Sequence, residues 1–146
     1  MKVSAIVAVA SDGSIGYTNG DLIFRNKEDM MFFSGFTQGK VCIVGHNTYI
    51  TLPSLSNRVI IKDARESVRD LKWLSRYEGK DVVVIGGAAT YKKYAPQTEE
   101  LFITKFESVG VGGGEKRVYF EESWFSHLTR EEVVAKGDGY RIIRKF

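Results

Sequence analysis

The chain has 146 residues, of which 43% are hydrophobic and 12% aromatic, and its formal net charge is +3. This composition is that of a globular protein with one packed core, and it excludes an intrinsically disordered chain. The apolar stretches are too short to cross a bilayer and the basic residues are scattered, so we expect a cytoplasmic protein that binds neither membrane nor nucleic acid.

The first third of the chain predicts a strand, a loop and a helix. Residues 3–10 are a nearly continuous apolar run, which predicts a central strand buried on both faces. Turn residues follow at 11–14, and residues 15–21 extend them into a long glycine-containing loop of the kind that is usually functional. Asn26 is predicted to cap a helix that runs to about Phe36.

The rest of the chain alternates strands with helices. Apolar runs predict strands at residues 41–44, 58–61, 81–85, 101–106 and 118–120. Helices are predicted at residues 47–51, 66–77 and 88–95, and the last stretch is predicted to form a hairpin that turns at residues 136–139. We therefore predict an α/β fold: a single domain, residues 1–146, with a central mostly parallel sheet, helices on both faces and an antiparallel C-terminal hairpin.

The cysteine and histidines offer little chemistry. Cys42 is the only cysteine and lies inside an apolar run, so it predicts a small buried side chain in a reducing compartment. His46 and His127 have no cysteine or carboxylate at ligand spacing, so we expect no metal site.

Two strands are each followed by glycine and then by a helix. Gly45 follows residues 41–44, and Gly86 and Gly87 follow residues 82–85. Glycine lets a ligand approach the backbone, and the free N–H groups beyond it suit phosphate, so the two turns together could hold one pyrophosphate. The alternative is that these glycines only make tight turns. Neither turn has the spacing of a Walker loop or of the Gly-x-Gly-x-x-Gly fingerprint.

Asp29 is the most informative single residue. On a helix it shares a face with Phe32 and Phe33, which places a carboxylate beside aromatic surface. Such a carboxylate either has a raised pKa or binds a cationic or amide-like partner, and both suit recognition of a heterocycle. Spacing alone leaves an equal alternative, because with Asn26 as the cap Asp29 could simply stabilise the helix N-terminus.

Basic residues near the second and third predicted strands could bind anions. His46, Lys62 and Arg65 could surround an additional phosphate, and Arg58 could pair with a carboxylate. Each could equally be a solvated surface residue. Asp63 would weaken a phosphate site there because its charge has the wrong sign.

Eight segments in one order resemble the dihydrofolate reductase family along nearly the whole chain. The matching residues are Ile6-Val7-Ala8; Ile15-Gly16; Asp29-Met30-Met31-Phe32-Phe33 with Thr37; Val44-Gly45-His46-Asn47-Thr48-Tyr49; Leu52-Pro53; Leu55-Ser56-Asn57-Arg58; Val84-Ile85-Gly86-Gly87-Ala88-Ala89-Thr90-Tyr91; and Leu101-Phe102-Ile103-Thr104.

The resemblance implies reduction of 7,8-dihydrofolate to tetrahydrofolate by hydride transfer from NADPH, in one-carbon and nucleotide metabolism. The catalytic residues it implies are Asp29, Thr104, Leu22 and Phe24, with Asp29 binding the pteridine and favouring protonation at N5, and with Thr104 supporting Asp29 through a hydrogen bond. The folate-binding residues it implies are Ile6, Val7, Leu22, Asp29, Phe33, Leu52, Leu55, Arg58 and Thr104. The cofactor-binding residues it implies are Ala8, Ile15, Gly16, Asn19, Gly45, His46, Asn47, Thr48, Lys62, Ile85, Gly87, Ala88, Ala89, Thr90 and Tyr91.

The resemblance also implies a cis peptide between Gly86 and Gly87, and binding of antifolates such as methotrexate or trimethoprim to a monomer. Two departures stand out. Leu22-Ile23-Phe24 replaces the usual Leu-Pro-Trp, and His46 replaces a common arginine that grips the 2′-phosphate of the cofactor. The shortened later segments resemble virus-encoded or minimal versions of the enzyme.

Two alternatives remain. A related pyrimidine reductase of riboflavin synthesis shares the fold, but that group lacks a carboxylate equivalent to Asp29. A non-catalytic structural or nucleotide-binding descendant is the other, and the joint presence of Asp29, Thr104 and Arg58 argues against it.

Overall fold

The computed structural model describes residues 1–17, 26–109 and 116–146. The strands in these ranges are β1 (Val3–Val9), β2 (Ser14–Tyr17), β3 (Val41–Val44), β4 (Val59–Lys62), β5 (Val82–Gly86), β6 (Glu100–Phe106), β7 (Arg117–Tyr119), β8 (Glu131–Gly137) and β9 (Tyr140–Lys145). The helices are α1 (Lys27–Thr37), α2 (His46–Tyr49), α3 (Leu71–Glu78) and α4 (Ala88–Tyr94), with 3₁₀ turns at Ala95–Gln97 and Glu122–Phe125.

A seven-stranded sheet in the order β4-β3-β5-β1-β6-β9-β8 forms the centre of the fold. Strand β1 pairs in parallel with β5 and β6, and β3 pairs in parallel with β4 and β5. Strands β8 and β9 form an antiparallel hairpin on the far side of β6. The predicted mostly parallel sheet, its central first strand and its C-terminal hairpin are confirmed.

Alternating side chains give the sheet two apolar faces, as the two-residue period of a strand requires. On one face, odd-numbered residues of β1, such as Val3 and Val7, pack with residues of α3 and α4. On the other face, Ile6 of β1 packs with residues of α1. Helices therefore cover both faces, as predicted, and α1 alone among the longer helices lies on the face of Ile6.

Two helix boundaries show how capping decides where a helix begins. The Asn26 side chain accepts a hydrogen bond from the Asp29 backbone N–H at 2.9 Å, so the predicted cap of α1 is confirmed. The prediction of a helix from residue 66 was wrong, because α3 begins at Leu71 after Asp70, whose side chain caps the Trp73 N–H. Val68 fits the apolar spacing but is 66% exposed.

The prediction of a loop from residue 15 was also wrong at its start. Residues 14–17 form β2, which pairs antiparallel with β7 in a separate two-stranded sheet. Local sequence did not indicate this strand because its partner lies far along the chain. The rest of the predicted loop, residues 18–21, lies outside the described residues. No helix in the described ranges is long and apolar enough to cross a membrane.

Candidate active site

The Asp29 carboxylate lies between α1 and the central sheet. Its Oδ1 accepts a hydrogen bond from Thr104 Oγ1 at 2.7 Å, from a residue 75 positions later in the chain. Thr104 is 1% exposed in the interior of β6, directly opposite Ala8 of β1. Since Asn26 provides the helix cap and the Asp29 carboxylate is bonded to β6, the geometry favours a role for Asp29 beyond stabilising the helix N-terminus.

Burial raises the pKa of Asp29 above its ordinary value, and the hydrogen bond from Thr104 opposes that rise. The group therefore lies in a setting where ionisation is costly unless N–H or O–H donors surround it. A flat heterocycle with two adjacent N–H donors would supply such donors.

Aromatic rings form the surface beside this carboxylate. Phe36 lies 4.7 Å from Phe102 and 6.0 Å from Phe32 between ring centroids. Phe33 and Leu52 pack against the same apolar cluster, which includes Ile6. This face is therefore apolar over an area that an aromatic ligand could contact.

The structure separates some predicted folate-binding residues from this surface. Val7 is buried in the cluster on the opposite face of the sheet, because neighbouring residues of a strand point in opposite directions. Leu55 is half-buried. Leu22 and Phe24 lie outside the described residues, as does Asn19 among the predicted cofactor-binding residues.

Arg58 is held firmly at the C-terminal end of α1. Its Nε donates to Thr37 Oγ1 at 2.7 Å, and Nη1 and Nη2 donate to the carbonyl oxygens of Ser56 and Ser34, each at 2.6 Å. All of these acceptors are neutral, and no carboxylate among the described residues forms an ion pair with Arg58. The guanidinium is thus an oriented positive charge that suits an anionic ligand group.

The two glycine turns meet at the carboxyl ends of β3 and β5. The Gly45 N–H donates to the Gly86 carbonyl oxygen at 2.7 Å, and the peptide bond between Gly86 and Gly87 is cis. A Cβ atom at Gly45 would lie 2.5 Å from Thr90 Oγ1, and one at Gly87 would lie 3.1 Å from Thr48 Oγ1. Only glycine fits at Gly45, so the turns form one backbone-lined cradle.

The other predicted cofactor-binding residues are divided by exposure. Half-buried residues are Ala8, Ile15, Gly45, Thr48, Gly87 and Ala88; exposed residues are His46, Asn47, Lys62 and Ala89; buried residues are Gly16, Ile85, Thr90 and Tyr91. Tyr91 donates its hydroxyl hydrogen to the Ile6 carbonyl oxygen at 2.6 Å, which ties α4 to β1 beneath the cradle.

Asp63, which the sequence analysis expects to weaken a nearby phosphate site, makes polar contacts with α4. Its carboxylate accepts hydrogen bonds from Lys93 Nζ and from the Tyr94 hydroxyl, both at 2.7 Å. The charge of Asp63 is therefore compensated by α4, and Lys62 and Arg65 remain exposed beside it.

The positions of two tyrosines had no signal in the sequence. The Tyr17 hydroxyl at the end of β2 is buried and has no hydrogen-bond partner among the described residues. The Tyr140 hydroxyl donates to the carboxylate of Glu28, the residue before Asp29. Both positions depend on the pairing of strands that are distant in sequence, so only a correct register could have revealed them.

Comparisons with known proteins agree with this geometry. A family model described as "Dihydrofolate reductase" matches residues 2–138. The dihydrofolate reductase of Haemophilus influenzae is 26% identical over 153 residues, which cover 97% of this chain and 89% of that protein. The dihydromethanopterin reductase of Methylorubrum extorquens is 28% identical over 131 residues, which cover 85% of this chain and 93% of that protein.

A solved structure shares the fold. It is a dihydrofolate reductase from Enterococcus faecalis complexed with NADP(H) and RAB-propyl, with a TM-score of 0.69 and 18% sequence identity. The match covers 99% of this chain and 94% of that chain.

Proposed function

The chain belongs to the dihydrofolate reductase family, and from that premise we propose that it reduces 7,8-dihydrofolate to tetrahydrofolate with NADPH. The single observation that carries the proposal is the hydrogen bond between the half-buried Asp29 carboxylate and the buried Thr104 hydroxyl, beside an apolar, aromatic surface. Oxidoreductase chemistry is the activity of the family, and the choice of substrate and cofactor is the part proposed.

Asp29 would bind the pteridine ring. Its carboxylate would accept hydrogen bonds from the 2-amino group and from N3, and the apolar surface of Phe33 and Leu52 would contact the ring. The hydrogen bond from Thr104 fixes the orientation of the carboxylate. Because an anion beside the ring favours a proton on it, Asp29 would promote protonation at N5, with water as the donor.

The cradle at Gly45, Gly86 and Gly87 fits the pyrophosphate of a dinucleotide, since glycine lets a ligand approach the backbone and the hydroxyl groups of Thr48 and Thr90, which can donate to phosphate oxygens, border the turns. When bound, NADPH supplies the hydride that reduces C6 of the pteridine. The protein would contribute positioning and exclusion of water, and no nucleophile is needed. The loop that the resemblance associates with water access includes residues 18–25, which lie outside the described residues.

The exposed residues His46, Lys62 and Arg65 would determine the preference for NADPH over NADH. They lie on α2, on β4 and just after β4, near the cradle. Since histidine is a weaker and less permanent cation than arginine, discrimination of the 2′-phosphate would be weaker than in relatives with arginine.

Arg58 would bind the α-carboxylate of the glutamate tail, and this favours a folate over a pterin without that tail. One relative is named dihydromethanopterin reductase, so the substrate range needs a direct test.

We also propose a single domain over residues 1–146, a monomer, a cytoplasmic location, and no binding to nucleic acid. Light scattering of the purified protein tests the monomer.

The decisive experiment follows NADPH absorbance with dihydrofolate, with dihydrobiopterin, which has no glutamate, and with methotrexate or trimethoprim as competitors. We expect oxidation of NADPH that depends on dihydrofolate. Asp29→Asn should lower the rate by about two orders of magnitude or more while cofactor affinity persists. Asp138→Asn, in the exposed turn between β8 and β9, is the matched control. A folded wild-type protein with no turnover would support a non-catalytic descendant.

A further inference from the structure

Tyr140 links the C-terminal hairpin to the first turn of α1. It is the first residue of β9 and is 9% exposed, and its hydroxyl donates to Glu28 Oε2, 112 positions earlier in the chain. Glu28 directly precedes Asp29. The bond therefore connects the strand next to β6 with the helix turn that carries Asp29.

Local packing fixes the ring of Tyr140 in this position. Tyr140 lies opposite Phe106 in the β6–β9 register, with ring centroids 6.1 Å apart. A Cβ atom at Gly137 would lie 2.1 Å from Tyr140 Cε1, so the ring can cover the end of β8 only because residue 137 is glycine.

Thr104 and Tyr140 lie on the same face of the sheet. Thr104 is paired with Ile142 of β9, and Ile142 and Tyr140 are two residues apart on that strand. Directly paired residues share a face, as do residues two apart on one strand. Hydroxyls on two neighbouring strands therefore bind the consecutive carboxylates of Asp29 and Glu28.

We propose that Tyr140 is a positioning residue for Asp29: by holding Glu28, it fixes the first turn of α1 so that the Asp29 carboxylate keeps its bond to Thr104 and its orientation toward the pteridine. The inference rests on the proposed function for its effect on catalysis. Within the limits set by the Asn26 cap and by the packing of Phe32 on the sheet, the Thr104 bond alone would leave the turn some rotation about that contact. A second attachment at the adjacent residue removes that freedom.

The groups around Asp29 define what a measurement of its titration would detect. Thr104 on β6 donates to it, and Tyr91 on α4 and Tyr140 on β9 lie within range of its charge. Glu28 is its neighbour on α1. Loss of the Tyr140 hydroxyl changes none of these charges, so its effect on Asp29 should come through geometry.

The test is a thermodynamic cycle on the pKa of Asp29, measured by carbon-13 NMR titration of its carboxyl group in the full chain. Thr104→Val should raise this pKa, because it removes the donor. Tyr140→Phe keeps the ring but removes the hydroxyl, so it should already weaken the bond between Thr104 and Asp29. In that background, Thr104→Val should shift the Asp29 pKa by less than half of the shift that it causes in the wild type. An equal effect of Thr104→Val in both backgrounds would overturn the proposal.

Glu28 provides independent variants. Glu28→Ala removes the acceptor and should reproduce the result of Tyr140→Phe, whereas Glu28→Gln retains an acceptor and should behave like the wild type. Tyr119→Phe, at an exposed position of β7, is the control for loss of a tyrosine hydroxyl. If Glu28→Gln reduced the effect of Thr104→Val on the Asp29 pKa as much as Glu28→Ala does, the charge of Glu28 rather than positioning would be responsible. The proposal would then fail.

Kinetics separate this proposal from the proposed function. Tyr140→Phe should raise KM for dihydrofolate about tenfold while the Kd for NADPH changes by less than about twofold, since small misplacements at one end of a site are costly there. If the wild type lacks turnover but the cycle shows coupling, the proposed function fails and the positioning role stands. If the wild type shows turnover but the cycle shows no coupling, the proposed function stands and the positioning role fails.

Discussion

The hydrogen bond from Thr104 to Asp29 can be removed with little change of shape by Thr104→Val. Thr104 is 1% exposed, and its Oγ1 lies 2.7 Å from Asp29 Oδ1. A hydrogen bond to a charged group contributes about 1.5–3 kcal/mol to stability, against about 0.5–1.5 kcal/mol between neutral groups. We expect Thr104→Val to lower the free energy of unfolding by about 2 kcal/mol at neutral pH.

The decrease in the free energy of unfolding caused by Thr104→Val should depend on pH. Burial raises the folded-state pKa of Asp29, so ionisation of this group lowers stability as pH rises from the unfolded-state pKa through the folded-state pKa. Removing the Thr104 donor raises the folded-state pKa further. The deficit of the variant should therefore be greatest above the folded-state pKa and should shrink as pH falls toward about 3.9, the ordinary value for aspartate.

Urea unfolding of the wild type and the variant, between about pH 8 and about pH 4.5, measures this difference. Thr98→Val is a matched control, because Thr98 is 3% exposed and donates to the neutral carbonyl of Tyr94 at 2.9 Å. Its cost should not depend on pH through Asp29. If Thr104→Val had the same pH-independent cost as the control, the charge-assisted bond would be refuted.

Three further predictions concern neighbouring groups. Arg58→Gln should raise KM for dihydrofolate about tenfold without changing KM for dihydrobiopterin, whereas Arg141→Gln, exposed on β9, should change neither. His46→Arg should increase the ratio of kcat/KM for NADPH to that for NADH; an unchanged ratio would show that residue 46 does not contact the 2′-phosphate. Tyr17→Phe removes a buried hydroxyl that has no partner within residues 1–17, 26–109 and 116–146, and it should raise stability by about 1 kcal/mol in thermal unfolding; a lower Tm would contradict this.

Local patterns predicted the elements that carry their own signals. Asn26 predicts the start of α1 because the side chain that caps the helix and the backbone N–H that it binds are only three residues apart in the sequence. The apolar run of β1 similarly predicts a strand covered on both faces. Together with the glycines at positions 45, 86 and 87, these signals predict the sheet and the two turns that meet at its edge.

What could not be predicted depends on contacts between distant segments. The strand β2 forms because β7 pairs with it, and Val68 stays outside α3 because Asp70 caps the helix two residues later. Resemblance to the family suggested the Asp29–Thr104 bond, but nothing local suggested the bond between Glu28 and Tyr140. That bond forms only because β9 pairs with β6 in this register, and no local pattern in the sequence predicts the register.

The central place of β1 affects how the chain folds. Val3 pairs with Val82, and Ser4 pairs with both Val83 and Glu100, so β1 leaves the ribosome well before either of the strands that flank it has been made. Until then the apolar strand β1 has no partner strand for the backbone hydrogen bonds on either of its edges. Nascent chains of this protein should therefore depend on chaperones, and refolding should be slow and sensitive to concentration.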